Sequence, residues 1–148
     1  MGTAMDTPIA HSGITTARNA LGQGIRWSRR LVFLNLGLVG LQALSAGFFL
    51  SGYGHAVSIH AGVAYALQLG ALAQVVATVV LWRRRSVPAW VARDGIVLFV
   101  AVLLQVGLGY TKQYWLHVPI GVGLFGGLMR HAIRLDTLEN TTGARSST

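Results

Sequence analysis

Two histidines within long apolar segments are the residues of this chain best suited to bind a metal. His60 and His117 each lie two or three residues inside the start of a predicted helix. Small residues, Ala64 and Gly121, follow four positions later and share the face of each histidine. Ionisable groups inside membrane helices usually face the bundle interior, where cofactors are held. Two facing imidazoles with room beside them would suit the two axial positions of a haem iron.

Other roles are open to the same two side chains. Each histidine could cap its helix or form a hydrogen bond across the bundle. A zinc site is less favoured, because zinc would need two further ligands. The chain has no cysteine, and no carboxylate falls on the same side as the histidine pair.

Three polar residues accompany the histidines at a similar or slightly greater depth. Lys112 could pair with a haem propionate or simply anchor the membrane interface. Gln42 and Gln105 could bond a haem edge or each other, although helix packing is favoured. The residues predicted to bind the cofactor, haem b, are His60, His117, Ala64, Gly121, Lys112, Gln42 and Gln105.

The distribution of charge predicts the elements that position these residues. Only 11% of the 148 residues are charged, and none lies between Arg30 and Arg83. That interval fits two spans of about 20 residues, and two shorter apolar stretches follow it. The sequence thus predicts an all-α integral membrane four-helix bundle. Its helices are expected over 31–50, 57–82, 89–111 and 115–135.

The basic residues predict the orientation of the bundle. With four spans, every Lys and Arg except Lys112 falls on the side of the two termini. The positive-inside rule places that side in the cytoplasm, as expected for a multi-pass plasma-membrane protein. Clusters at helix ends favour this role over nucleic-acid binding. His131, between two arginines, is expected to be solvated or interfacial.

The chain divides into one domain and two tails. The transmembrane domain is predicted over 25–135, with disordered cytoplasmic tails over 1–24 and 136–148. Partners other than lipid are left open, whether a redox partner, a larger membrane complex or a second copy.

The two predicted helix hairpins resemble each other. The segment Leu41–Gly47 leads through a short loop to His60, and Leu104–Tyr110 leads to His117. Each segment begins with Leu-Gln, and both hairpins start on the same side of the membrane. Such parallel repeats can be related by an axis along the membrane normal.

These motifs resemble one four-helix half of the haem A synthase family. The resemblance rests on Leu104–Thr111 followed by Leu116 and His117, and on His60 early in an alanine-rich helix. It covers Leu31–Arg134 and implies that His60 and His117 are axial haem ligands.

Four departures from the family argue against its oxygenase activity. Val57 stands where the catalytic half has a glutamate, and Ala61 replaces a basic residue. The outer-loop cysteine pair and a second haem-binding half are absent. The resemblance therefore implies a single-haem, non-catalytic relative.

The favoured function is a membrane b-type cytochrome for electron transfer or haem handling. The alternative is a cofactor-free accessory subunit of a larger membrane complex. A small transporter is less favoured, because the predicted spans lack Asp, Glu, Lys and Arg.

Overall fold

The computed structural model describes residues 9–144, which are helical apart from three short turns. The predicted all-α, four-helix fold is confirmed. Each helix packs mainly on two neighbours, because α1 and α3 both contact α2 and α4. Consequently α2 and α4 lie diagonally opposite each other. The helices are α1 (Ile9–Leu50), α2 (Ala56–Arg83), α3 (Ala89–Tyr110) and α4 (Tyr114–Ala144).

Three of the described helices are long and apolar enough to cross a membrane. The segments concerned are Asn19–Leu50 within α1, Ala56–Arg83 (α2) and Ala89–Tyr110 (α3). Large apolar side chains such as Leu34, Leu69 and Val97 are more than half exposed on the outer surface of the bundle. A surface of this kind suits lipid rather than water.

The fourth helix does not match the apolar character of the other three, although it was predicted as a span. α4 is long enough, with 31 residues. Its apolar half is interrupted by His117, Pro119 and several glycines, and Arg130 and Arg134 follow soon after. These residues lower its mean hydropathy, so composition alone does not mark α4 as a span.

Each of the three turns begins with a residue in the left-handed region. Gly52 has φ 93°, Arg85 has φ 57° and Lys112 has φ 58°. In each case this residue and the next donate backbone N–H groups to carbonyls of the last helical turn, as Lys112 does to Gly109. This pattern is the Schellman motif. It reverses the chain within a few residues and keeps consecutive helices antiparallel.

The outer helices extend further than the charge pattern predicted. The tails predicted over 1–24 and 136–148 are helical where the structure describes them, since α1 begins at Ile9 and α4 ends at Ala144. The rest of both tails lies outside the described residues. Charges mark where a helix leaves the membrane, but they do not end the helix.

Contacts between α1 and α4 stabilise this extension. Arg29 forms ion pairs with Asp136 at 3.0 Å and with Glu139 at 2.7 Å. Ile25 and Leu135 are fully buried in the same region. We call this the inner end of the bundle, and the end with the α1–α2 and α3–α4 turns the outer end.

A buried amide pair joins α1 and α2 near the middle of the bundle. Asn35 Nδ2 donates to Gln74 Oε1 at 2.6 Å, and both side chains are at most 2% exposed. Asn35 reaches this position because Gly70 faces it without a side chain. A methyl group at Gly70 would lie 2.5 Å from Asn35 Oδ1.

Replacing Gly70 with alanine should therefore destabilise the bundle. We expect a loss of about 1–3 kcal/mol, because the added methyl group must displace a buried amide. Gly62→Ala in the same helix is the control, since no atom lies within 4 Å of its added methyl group. The control should be neutral or gain up to about 1 kcal/mol of helix propensity. Unfolding in detergent micelles measures both, and equal stabilities would contradict the prediction.

Candidate functional site

The structure brings the two predicted histidines together at the outer end. His60 lies early in α2 and His117 early in α4, on diagonally opposite helices. Their ring centres are 6.2 Å apart, with an angle of 59° between the ring planes. Both side chains are partly buried. The pair therefore faces across the interior of the bundle.

A backbone carbonyl fixes the proton on each imidazole. Nδ1 of His60 lies 3.2 Å from the carbonyl oxygen of Gln42, and Nδ1 of His117 lies 2.8 Å from that of Gln105. A carbonyl oxygen can only accept, so Nδ1 must carry the hydrogen in both rings. Each neutral ring then keeps an unprotonated Nε2, which is the form that binds metals. Metal-ligating histidines commonly donate their other N–H to such a carbonyl.

The spacing of the rings also suits a shared metal ion. A metal–imidazole bond of about 2 Å, plus about 1 Å from the ligating nitrogen to its ring centre, places two axial rings about 6 Å apart. The observed 6.2 Å matches this distance. Among residues 9–144 no group of three or more His, Cys, Asp or Glu side chains is placed to hold a metal. A metal at this pair would thus take at most two ligands from side chains of these four types in the described part of the chain.

A glycine that the sequence analysis did not single out shapes the His117 position. A methyl group at Gly109 would lie 3.1 Å from His117 Cε1 and 3.3 Å from Nδ1. Because Gly109 has no side chain, the ring can pack against α3 and reach the carbonyl of Gln105. The available signal was a glycine near the end of an apolar helix, which alone is not specific.

The two glutamines take part through their backbones and lie buried beside the histidines. The Oε1 atoms of Gln42 and Gln105 are buried and have no hydrogen-bond partner among the described residues. Gln105 Nε2 lies only 2.9 Å from the position that a methyl group on Gly121 would take. The space beside Gly121 therefore holds an amide, whereas the sequence predicts open room beside the imidazole there. Ala64, at the matching position of α2, is partly buried.

Lys112 lies in the α3–α4 turn, on the same end as the histidine pair. Its side chain is exposed, and its positive φ belongs to the Schellman turn. It is thus free to serve the interface or a ligand near the pair.

An apolar groove of about 360 Å³ runs between α1 and α2 at the outer end. Leu44, Phe48 and Ile59 line it, and each is at least half exposed. Neither His60 nor His117 is part of the lining of this groove. The groove reaches the histidine site only through Ser45, which lines it and contacts His60 Nδ1.

A second cluster, around His131, lies at the inner end, and one prediction about it was wrong. His131 is 1% exposed, whereas it was expected to be solvated or interfacial. It packs edge-on against Trp90, and its Nδ1 lies 3.5 Å from Asp94 Oδ2. Arg134 bonds the same carboxylate oxygen at 2.5 Å and covers the Trp90 ring at 4.0 Å. The carboxylate draws α4 inward and so buries the imidazole.

No protein-family model, curated protein or solved structure matches the chain. The fold and site themselves define a four-helix bundle with three helices able to cross a membrane and a histidine pair near one end.

Proposed function

We propose that this chain is a membrane b-type cytochrome that binds one haem b between His60 and His117. One arrangement carries the proposal: two imidazoles, 6.2 Å apart, each with Nδ1 committed to a backbone carbonyl. That arrangement leaves two Nε2 atoms as the free ligating groups. The resemblance to one half of haem A synthase stays a prediction beside it.

Two axial histidines suit electron transfer or haem handling. A bound haem would supply one-electron chemistry, and six-coordinate iron has no open position for oxygen. The role of the chain is to hold both rings in one tautomer and at a fixed separation. Val57, in place of the family glutamate, offers no acid or base near His60. We therefore do not assign oxygenase activity to this site.

The neighbouring residues would support the cofactor in different ways. Lys112 is exposed at the same end and would pair with a propionate. The buried Oε1 atoms of Gln42 and Gln105 have no partner among the described residues and would gain one if their amides turned toward the cofactor edge. Ala64 and Gly121 lie one helical turn beyond His60 and His117, and both are small residues.

We propose that α4 is a fourth span and that the inner end is cytoplasmic. α4 packs against both α1 and α3, which are long and apolar enough to span. The positive-inside rule then gives a plasma-membrane protein with both termini inside.

The two hairpins behave as repeats in their contacts. His60 with Gln42 matches His117 with Gln105. In the same register, a methyl group at Gly70 would meet Asn35 at 2.5 Å, and one at Gly127 would meet Leu98 at 3.0 Å. These paired contacts support a duplicated helix hairpin.

A spectrum of the purified protein tests the proposal. The full chain, expressed with added haem precursor and purified in detergent, should show a low-spin b-type reduced-minus-oxidised spectrum with one haem per chain. Protein that stays colourless after haem is added would contradict it. The cofactor-free alternative is favoured by the Gln105 amide beside Gly121, and it predicts colourless protein that copurifies with a larger membrane complex.

A further inference from the structure

The two imidazoles are held unequally, and Ser45 is the cause of the difference. His60 Nδ1 faces two oxygens, the carbonyl of Gln42 at 3.2 Å and Ser45 Oγ at 3.1 Å. His117 Nδ1 faces the carbonyl of Gln105 at 2.8 Å. Leu108 follows Gln105 by three positions, as Ser45 follows Gln42, and it has no polar group to offer.

The direction of each hydrogen bond around Ser45 follows from the carbonyl. Ser45 Oγ lies 3.0 Å from the carbonyl oxygen of Gln42, to which its hydroxyl donates. The hydroxyl hydrogen is then committed, and the lone pairs of Oγ are free to accept from His60 Nδ1. Ser45 is 5% exposed, so water does not compete freely for these lone pairs. The His60 N–H is thus shared between two acceptors in a three-centre bond.

We propose that Ser45 is a positioning residue that sets the rotation of the His60 ring and makes the two imidazoles electronically unequal. The 2.8 Å bond of His117 is shorter than either bond of His60, and the His60 N–H is divided between two acceptors. His117 therefore becomes the more electron-rich imidazole, because its N–H has the shorter bond. Ser45 also turns His60 away from the orientation that Gln42 alone would impose, which contributes to the 59° between the rings.

The inequality can be tested in haem-free protein. The full chain with 15N-labelled histidine is prepared in micelles, and His60→Gln and His117→Gln assign the two Nδ1–H signals. We expect the His117 proton to lie downfield of the His60 proton. Ser45→Ala should shift the His60 proton toward the His117 position, and Ser45→Thr should retain the original shift. Coincident signals in the unmodified protein, or no movement in Ser45→Ala, would overturn the proposal.

A second variant guards against a folding defect in Ser45→Ala. Leu108→Ser places a hydroxyl at the matching position of the second hairpin. It should give His117 a second acceptor and move its proton upfield, toward that of His60. An unchanged His117 signal in a folded Leu108→Ser protein counts against the proposal.

The consequence for iron rests on the proposed function and has a separate readout. In haem-loaded protein the electron paramagnetic resonance spectrum depends on the angle between axial ring planes. Ser45→Ala should change its g-value spread, while Ser45→Thr should restore it. If the protein binds no haem, the proposed function is wrong, but the expected imidazole proton shifts are unaffected. If haem binds and the spectrum of Ser45→Ala is unchanged, Ser45 does not set the ring orientation at the iron.

Discussion

Replacing His60 with alanine should abolish the low-spin haem spectrum that we propose for this protein. In the proposed cytochrome each axial position would be taken by one Nε2, and among the described residues no third His, Cys, Asp or Glu joins the pair. Loss of a partner behind a metal ligand already costs about 10–100-fold in affinity, so loss of the ligand itself should cost at least about 100-fold. His117→Ala should have the same effect, because each ring would supply one of the two axial ligands.

Two comparisons make this prediction specific to the histidine pair. His55→Ala is the control, since His55 is exposed in the α1–α2 turn. It should retain a full complement of haem. Added imidazole should restore a low-spin spectrum to His60→Ala, because the ligand is removed while its space remains. If the His60 and His117 variants both keep a low-spin spectrum, the ligands have been assigned to the wrong residues.

The limits of α2 and α3 could be predicted from the distribution of charge. α2 was expected over 57–82 and extends over Ala56–Arg83, and α3 was expected over 89–111 and ends at Tyr110. Uncharged stretches give these limits because charged residues are costly inside a bilayer. The same reasoning misses the inner extensions of α1 and α4, where Arg29 and Glu139 stabilise the helices through contacts far apart in sequence.

The histidine pair could be predicted as far as matched depth and a shared face allow. The proximity of His60 and His117 required both hairpins to pack, and the structure supplies it. The hydrogen bonds to Gln42 and Gln105 could not be predicted, because backbone carbonyls leave no mark in the sequence. Ser45 did leave one, since a polar residue in an apolar span is usually buried and bonded.

The cluster around His131 at the inner end is a case that the sequence did not predict. His131 stands between two arginines, a pattern typical of a membrane interface. Its burial depends on Asp94, which lies on a different helix and pairs with Arg134. A local pattern could not reveal a carboxylate that draws α4 against α3.

Replacing Asp94 with alanine should give the largest loss of stability among the ion-paired residues. The Asp94 side chain is 16% exposed and serves Arg134 at 2.5 Å and Arg93 at 3.3 Å. Its removal leaves the Arg134 guanidinium, which lies against the Trp90 ring, without a compensating negative charge. It also removes the carboxylate next to the buried His131. Removing the partner of a partly buried charged group costs about 1–3 kcal/mol. Unfolding of the full chain in micelles, followed by helix content, measures the loss.

A second aspartate on the same end separates this effect from simple loss of charge. Asp136 is 58% exposed, and its partner Arg29 also has Glu139. Asp136→Ala should therefore cost less than about 1 kcal/mol, as is usual for exposed pairs. Arg134→Ala should cost less in the Asp94→Ala background than in the unmodified protein, because the two residues act through one contact. Equal losses in Asp94→Ala and Asp136→Ala, or strictly additive losses in the double variant, would show that the carboxylate does not hold α4 to α3.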